Sequence, residues 1–229
     1  MKAYELVLEW IEGEIAEGRL AIGDRLPGER VVADRLRVSR TSVREAIRVL
    51  EVMGVIRTSA GSGPDAGAVV VAEPHSPLTS TLRLHLATSH LPISDIVQTR
   101  ILLESWAVAE AATVMDDAAL DAAARLLDAM DDPALGPERF HILDAEFHVA
   151  LCRGAGNLLV STIMAALREA IHGYVMAAVP MVDNWPDIAA QLRREHRAVL
   201  DAVRGGQGEV AAKLVTDHID GFYRATRLA

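Results

Sequence analysis

The stretch GDRLPGERVVADRLRVSRTSVREAIRVLEVMGVI, residues 23–56, decides how the rest of the chain is read. Pro27 and Gly28 stand ahead of a run whose spacing predicts a short helix over about 28–36, and both residue types suit a helix start. Ser39 then offers a side-chain acceptor to the first free amides of another helix, expected from about Arg40 to Met53 and stopped by Gly54. On a wheel of ~100° per residue, Val43, Ala46, Val49, Leu50 and Met53 share one broad arc. Arg40, Arg44 and Arg48 share another, beside Thr41. One face is built to pack and the other is basic. An arginine can take a guanine edge through two hydrogen bonds or clamp a phosphate, and the start of a recognition helix is the part that reaches base edges. Arg40, Thr41 and Arg44 are therefore the first candidates for DNA contact. A solvated arginine stripe paired with Glu45 and Glu51 would explain this helix taken alone; its neighbours decide for DNA.

Upstream, residues 2–18 read as an amphipathic helix carrying Leu6 and Trp10 and ending at Gly18. Downstream, the β-branched stretches Val55 to Thr58 and Ala68 to Val71 flank the glycine-rich SAGSGPDAG, the pattern of a wing hairpin. AEPHSPLTS, residues 72–80, carries two prolines and is expected to be a linker. Helical patterns then cover about 79–88, 93–114, 117–129, 137–153, 157–179, 187–204 and 207–227, with Asn157 expected to cap the helix it precedes. The expected fold class is mainly α: an N-terminal winged helix-turn-helix over 1–73 and a C-terminal all-α helical bundle over 79–229.

Bulk properties set limits on this reading. A chain of 229 residues, 51% hydrophobic, is long enough to form two cores without staples. The single cysteine, Cys152, excludes an internal disulfide framework and fits a reducing compartment, so a cytoplasmic location is expected. The charged N-terminus has no signal-peptide h-region, and no charge-free run of 18 apolar residues follows, so no membrane partner is expected. A net charge of −9 argues against nucleic acid until its distribution is considered. Between Arg25 and Arg57 eight arginines face four acids, a local excess of +4.

The C-terminal half places ionisable residues where periodicity puts core. His218 lies amid Ala211, Leu214, Val215, Phe222 and Ala225, and His196 amid Leu192, Val199, Leu200 and Val203. Asp144 shares its face with Phe140, Phe147 and Leu151, with His148 one turn on, and Arg100 lies among Ile96, Val97, Leu103 and Ala107. A buried polar group without a partner costs about 1 to 3 kcal/mol, and an unpaired charge far more. One such histidine is ordinarily a core imidazole bonded to a carbonyl. Three of them with an aspartate, on separate inward faces, are satisfied together by a metal. Asp144 and His148 at i, i+4 form a chelating pair, and this donor set suits zinc first, with nickel or manganese as alternatives. His141 is either a second partner to this cluster or solvated, the latter being expected; His172 is a weaker candidate for lining a pocket, and His75, His85 and His90 read as exposed.

The quoted run followed by a glycine-rich hairpin resembles the N-terminal domain of the GntR family of bacterial regulators. The segments RILLESWAVAEAA, DAEFHVALCRGAGN, REHRAVLDAV and AAKLVTDHID resemble the helical effector-binding FCD domain of that family's FadR-type branch. The first resemblance implies that Arg30, Ser39, Arg40, Thr41, Ser42 and Arg44 contact double-stranded operator DNA, with Gly61 at the wing tip in the minor groove. Gly28 stands where the family usually has a serine cap, and the wing is longer and less basic than usual. The second resemblance implies a metal held by Asp144, His148, His196 and His218, a small carboxylate effector paired with Arg100, and Glu104 holding that arginine in place.

The reading that follows is a ligand-responsive, non-enzymatic repressor acting as a homodimer, because two reading heads match a palindromic operator. Few aromatics and a central arginine point to a short hydroxy-, keto-, dicarboxylic or sugar acid. The rival reading is a metal-dependent hydrolase or lyase acting on a small organic acid. It is weakened by the lack of an obvious general base, since Glu104 has a ready partner in Arg100.

Overall fold

The computed structural model describes residues 2–59, 67–88, 91–179 and 184–226. The chain divides into two compact units, Met1–Pro77 and Leu78–Ala229. The architecture is mainly α, with a winged helix-turn-helix followed by a helical bundle, as expected.

In the first unit α1 (Ala3–Ala16), α2 (Glu29–Leu36) and α3 (Arg40–Val52) enclose a small core of Val7, Ile11, Val32, Val43, Ala46 and Leu50. Each large aliphatic side chain removed from water there contributes roughly 1.5 to 3 kcal/mol. Ser39 caps α3 by accepting a 3.0 Å bond from the Ser42 amide. The turn between α2 and α3 passes through Arg37 in the left-handed region, with φ at +54°. β1 (Ile56–Ser59) and β2 (Gly67–Val70) pair antiparallel, Ile56 opposite Val70 and Ser59 opposite Gly67. Residues 23–26 line the other edge of β2: Leu26 donates to the Ala68 carbonyl at 2.8 Å and Gly23 to that of Val70 at 2.9 Å. The GDRL that leads into α2 is thus tied to the wing. Gly54, at φ +67°, has the Glu73 carbonyl where a Cβ would stand, so the corner after α3 accepts no side chain.

The stretch expected to be a linker is a helix over most of its length. α4 spans His75–Ala87, beginning four residues before the expected start at 79. Pro77 falls in its first turn, where an amide would have no acceptor inside the helix, so its missing N–H costs nothing.

In the second unit α5 (Ile93–Val114) packs against α7 (Pro137–Gly154), α8 (Leu158–Ala178), α9 (Trp185–Arg204) and α10 (Gly208–Thr226), while α6 (Asp117–Met130) packs on α7 and α9. The most extensive helix–helix contact of the bundle is between α5 and α10. Gly208 sits against the Ala109 backbone, where a Cβ would be 2.9 Å from its carbonyl oxygen. Asp116 caps α6, and Asn157 caps α8 by accepting from the Val160 amide at 3.2 Å. Residues Leu158–Ala177 of α8 are long and apolar enough to cross a membrane. Within this stretch Met164, Leu167, Ile171 and Val175 are buried in the bundle core, while Leu158 and Leu159 at its start are exposed.

Candidate metal centre and nucleic-acid interface

Four donors converge inside the bundle from α7, α9 and α10. One ligand atom from each of Asp144, His148, His196 and His218 lies within 4.8 Å of the others, and all four residues are buried. The Nε2 atom of His196 is central, 2.9 Å from Asp144 Oδ1, 3.1 Å from His218 Nε2 and 3.3 Å from His148 Nε2. His148 Nε2 is 3.5 Å from Asp144 Oδ1. Atoms bound to one ion at about 2.0 to 2.2 Å stand about 3.0 to 3.5 Å from their neighbours, so the spacing fits.

The outer nitrogens explain why these atoms face inward. Nδ1 of His148 bonds to Glu104 Oε2, and Nδ1 of His218 lies 2.8 Å from Glu195 Oε2. A carboxylate on Nδ1 fixes the tautomer and leaves the Nε2 lone pair free. Two bare lone pairs therefore point at His196, whose ring can donate to only one of them. A cation satisfies all three, and the residues present fit one. Nδ1 of His196 has no partner among the described residues.

Around the donors lies a belt of buried charge. Glu104, 1% exposed, bridges His148 and Arg100, accepting from Arg100 Nε at 2.9 Å. Burial alone would raise its carboxyl, but the neighbouring His148 ring and the Arg100 guanidinium outweigh that and hold it far below the usual range. Burial likewise opposes ionisation of Asp144, and the Arg168 guanidinium, with the His148 and His196 rings beside it, keeps it well down. Burial and the neighbouring His218 press His196 down to about 3. His218 is lowered by burial in spite of Glu195. Arg100 Nη1 donates to the Tyr223 hydroxyl at 2.8 Å.

A small cavity opens beside the donors, lined by Asp144, His218, Arg100, Arg168, Trp185 and Tyr223 among others. Arg100 reaches it; Glu104 does not line it and lies behind Arg100 and His148. His141, expected to be solvated, is 7% exposed and lines the cavity, because its ring stacks on His172 at 5.2 Å and its Nδ1 lies 3.7 Å from Asp144. His172 itself faces an outer groove between α6, α7 and α8. Arg168, absent from the residues expected at the site, is 3% exposed and bonds Asp144 Oδ2 through Nη2. The signal was present: Met164, Ala165, Ile171 and Val175 surround Arg168 on its helical face, the same test that picked out Arg100.

In the first unit Arg30 is exposed on α2 and Arg40, Thr41, Arg44 and Arg48 on α3, while Val43, Ala46 and Leu50 are buried beneath. Ser39 and Ser42 share a 2.9 Å bond between their hydroxyls. Arg44 is held by Glu29, with Arg40 3.9 Å from the same carboxylate. Gly61 lies outside the described residues.

Residues 3–64 match the bacterial regulatory proteins of the gntR family, and residues 95–221 match the FCD domain. The chain belongs to the GntR family, in the branch with an FCD domain. This GntR protein is accordingly a DNA-binding transcriptional regulator. It is 28% identical to the Glc operon transcriptional activator of Escherichia coli strain K12 over 221 residues, covering 94% of this chain and 85% of that protein. It is 26% identical to the putative L-lactate dehydrogenase operon regulatory protein of the same strain over 188 residues, covering 81% and 71%. The fold is shared with Streptococcus agalactiae GntR, at a TM-score of 0.67 and 22% identity over 96% of this chain and 99% of that one.

Proposed function

We propose that this GntR regulator is a cytoplasmic, homodimeric repressor that reads a two-fold operator through α3 and is switched by a small carboxylate bound at a metal in the FCD domain. The observation that carries the reading is the set of four converging, buried donors with an arginine beside them and a cavity between. Asp144, His148, His196 and His218 would hold the ion, zinc before nickel or manganese, and Glu104 and Glu195 fix the rings of His148 and His218. When bound, the metal supplies positive charge and a coordination site for an anionic oxygen. Arg100, held by Glu104 and Tyr223, supports pairing with the acid's carboxylate. Ser39 orders the start of α3, and Arg30, Arg40, Thr41, Ser42 and Arg44 would contact operator DNA with Gly61 on the wing.

The acid acts only through a difference in its affinity for the two DNA-binding states, each ~1.4 kcal/mol of difference changing operator affinity tenfold. The hydrolase or lyase reading is not favoured. Glu104, the acid best placed to serve as a base, is engaged by Arg100 and His148 away from the cavity. The test is elemental analysis of the purified protein together with operator binding followed by fluorescence anisotropy with and without glycolate or lactate. About one transition metal per chain and operator release by the acid are expected; a metal-free protein whose operator affinity no acid changes overturns the reading.

A further inference from the structure

Arg168 is the one buried charged side chain at the cavity whose hydrogen-bonding capacity is largely unused among the described residues. It comes from α8, 3% exposed, and its Nη2 bonds Asp144 Oδ2. Nε and Nη1 are buried without a hydrogen-bond partner among the described residues, Glu104 Oε1 standing 3.7 Å from Nη1. Burying guanidinium N–H groups unpaired is costly, and the cavity they border is narrow. Arg100 lines the same cavity, with Nε and Nη1 already taken by Glu104 and Tyr223. Two guanidinium groups thus border a space too small for a long chain or a bulky ring.

The charge balance points the same way. Arg100 and Arg168 offset Asp144 and Glu104, so these four buried groups are neutral together. A divalent cation on the donors adds two positive charges, of which the half-buried Glu195 on His218 offsets one. One positive charge remains in a poorly solvated site, and a metal on Asp144 draws on the same carboxylate that now engages Arg168. A single carboxylate satisfies both.

We propose that Arg168 is a second anion-binding residue, exchanging Asp144 for the effector's carboxylate when the metal site is filled, and that this makes the effector a short monocarboxylate of two or three carbons. The inference rests on the metal-and-acid reading above and specifies its ligand. Arg168 grips the carboxylate and Arg100 flanks it; the cavity's size and charge exclude dianions and longer acids.

The experiment is isothermal titration of the full-length, metal-loaded protein with glycolate, lactate and succinate, repeated on Arg168→Gln and Arg168→Lys, with metal content and Tm recorded for each. Expected is metal retention in both variants, glycolate or lactate binding weakened roughly tenfold to a hundredfold in Arg168→Gln and partly restored in Arg168→Lys, and succinate binding weaker than either. Unchanged glycolate and lactate affinity in a metal-loaded Arg168→Gln protein overturns the role of Arg168 while leaving the metal-and-acid reading intact. Loss of metal in that variant, whether or not Arg168→Lys restores it, assigns Arg168 to positioning Asp144 and also overturns the proposal. Succinate binding tighter than glycolate and lactate overturns the ligand class. A wild-type protein that takes up no metal fails the underlying reading instead.

Discussion

Glu29, in the first turn of α2, holds Arg44 of α3 through both carboxylate oxygens, Oε1 to Nε at 3.0 Å and Oε2 to Nη2 at 2.7 Å. The pair fastens the two helices of the reading head together and fixes the direction of an exposed arginine. On the proposed DNA-reading face it also sets a negative charge beside Arg44 and Arg40. Glu29→Gln removes the charge and loosens Arg44. Affinity for random duplex DNA is expected to rise a few-fold, since the net positive field of the face increases, while the ratio of operator to random binding falls. Anisotropy titrations at two salt concentrations check this; an operator preference equal to wild type would show that the pair is structural only.

Arg37 occupies a left-handed backbone conformation that glycine adopts without penalty. A side chain there costs about 1 to 2 kcal/mol in native-state strain, reduced by the entropy that glycine adds to the unfolded chain. Arg37→Gly is expected to stabilise the winged unit by up to about 1 kcal/mol, seen as a higher denaturation midpoint of that unit. A lower midpoint would mean that the Arg37 side chain contributes more than its backbone costs.

Much of this was readable from spacing. Ser39, the arginine stripe of α3 and the burial of His196, His218 and Asp144 follow from 3.6-residue periodicity, a property of the local chain. What periodicity cannot supply is which residue on another helix a buried group meets. His141 is buried because α8 brings His172 across it and Asp144 stands one turn away. Glu104 turns toward His148, 44 positions further along the chain, and that decides that it backs the metal ligands rather than lining the cavity. The prolines of the expected linker differ for another reason: a proline in the middle of a helix interrupts it, whereas Pro77 stands in the first turn of α4, where it is harmless.

His196 is the donor nearest to the other three, so its removal is expected to abolish metal binding more completely than loss of any other ligand. His196→Ala should purify without metal, and adding zinc should leave its Tm unchanged. In the wild type, metal at a hundred times its dissociation constant raises stability by about 2.7 kcal/mol, and a chelator reverses the gain. A variant that still gains Tm with zinc would place the ion elsewhere.

Acid sensitivity provides the last test, because burial pushes His141, His196 and His218 toward the uncharged form. His196 is lowered from 6.5 to about 3 by burial and by His218, and His141 to about 4 by burial. With native values below unfolded ones, the unfolded chain binds more protons in acid, so stability rises with pH. The contribution is complete above about pH 6.5 and is lost as the pH falls toward 4 and then 3. Asp144 and Glu104, held below the ordinary carboxylate range, add a loss of the same sign at the acid end of that window. The metal-free protein is therefore expected to show a flat Tm above pH 7 and a steep fall between pH 6.5 and 4. His141→Asn should flatten part of that fall while keeping the metal, since His141 is not among the converging donors. A Tm that rises on acidification from pH 7 to 5 would mean that these rings are charged in the native state, with Asp144, Glu104 and Glu195 as their counter-ions and no vacant lone pairs for a metal to meet.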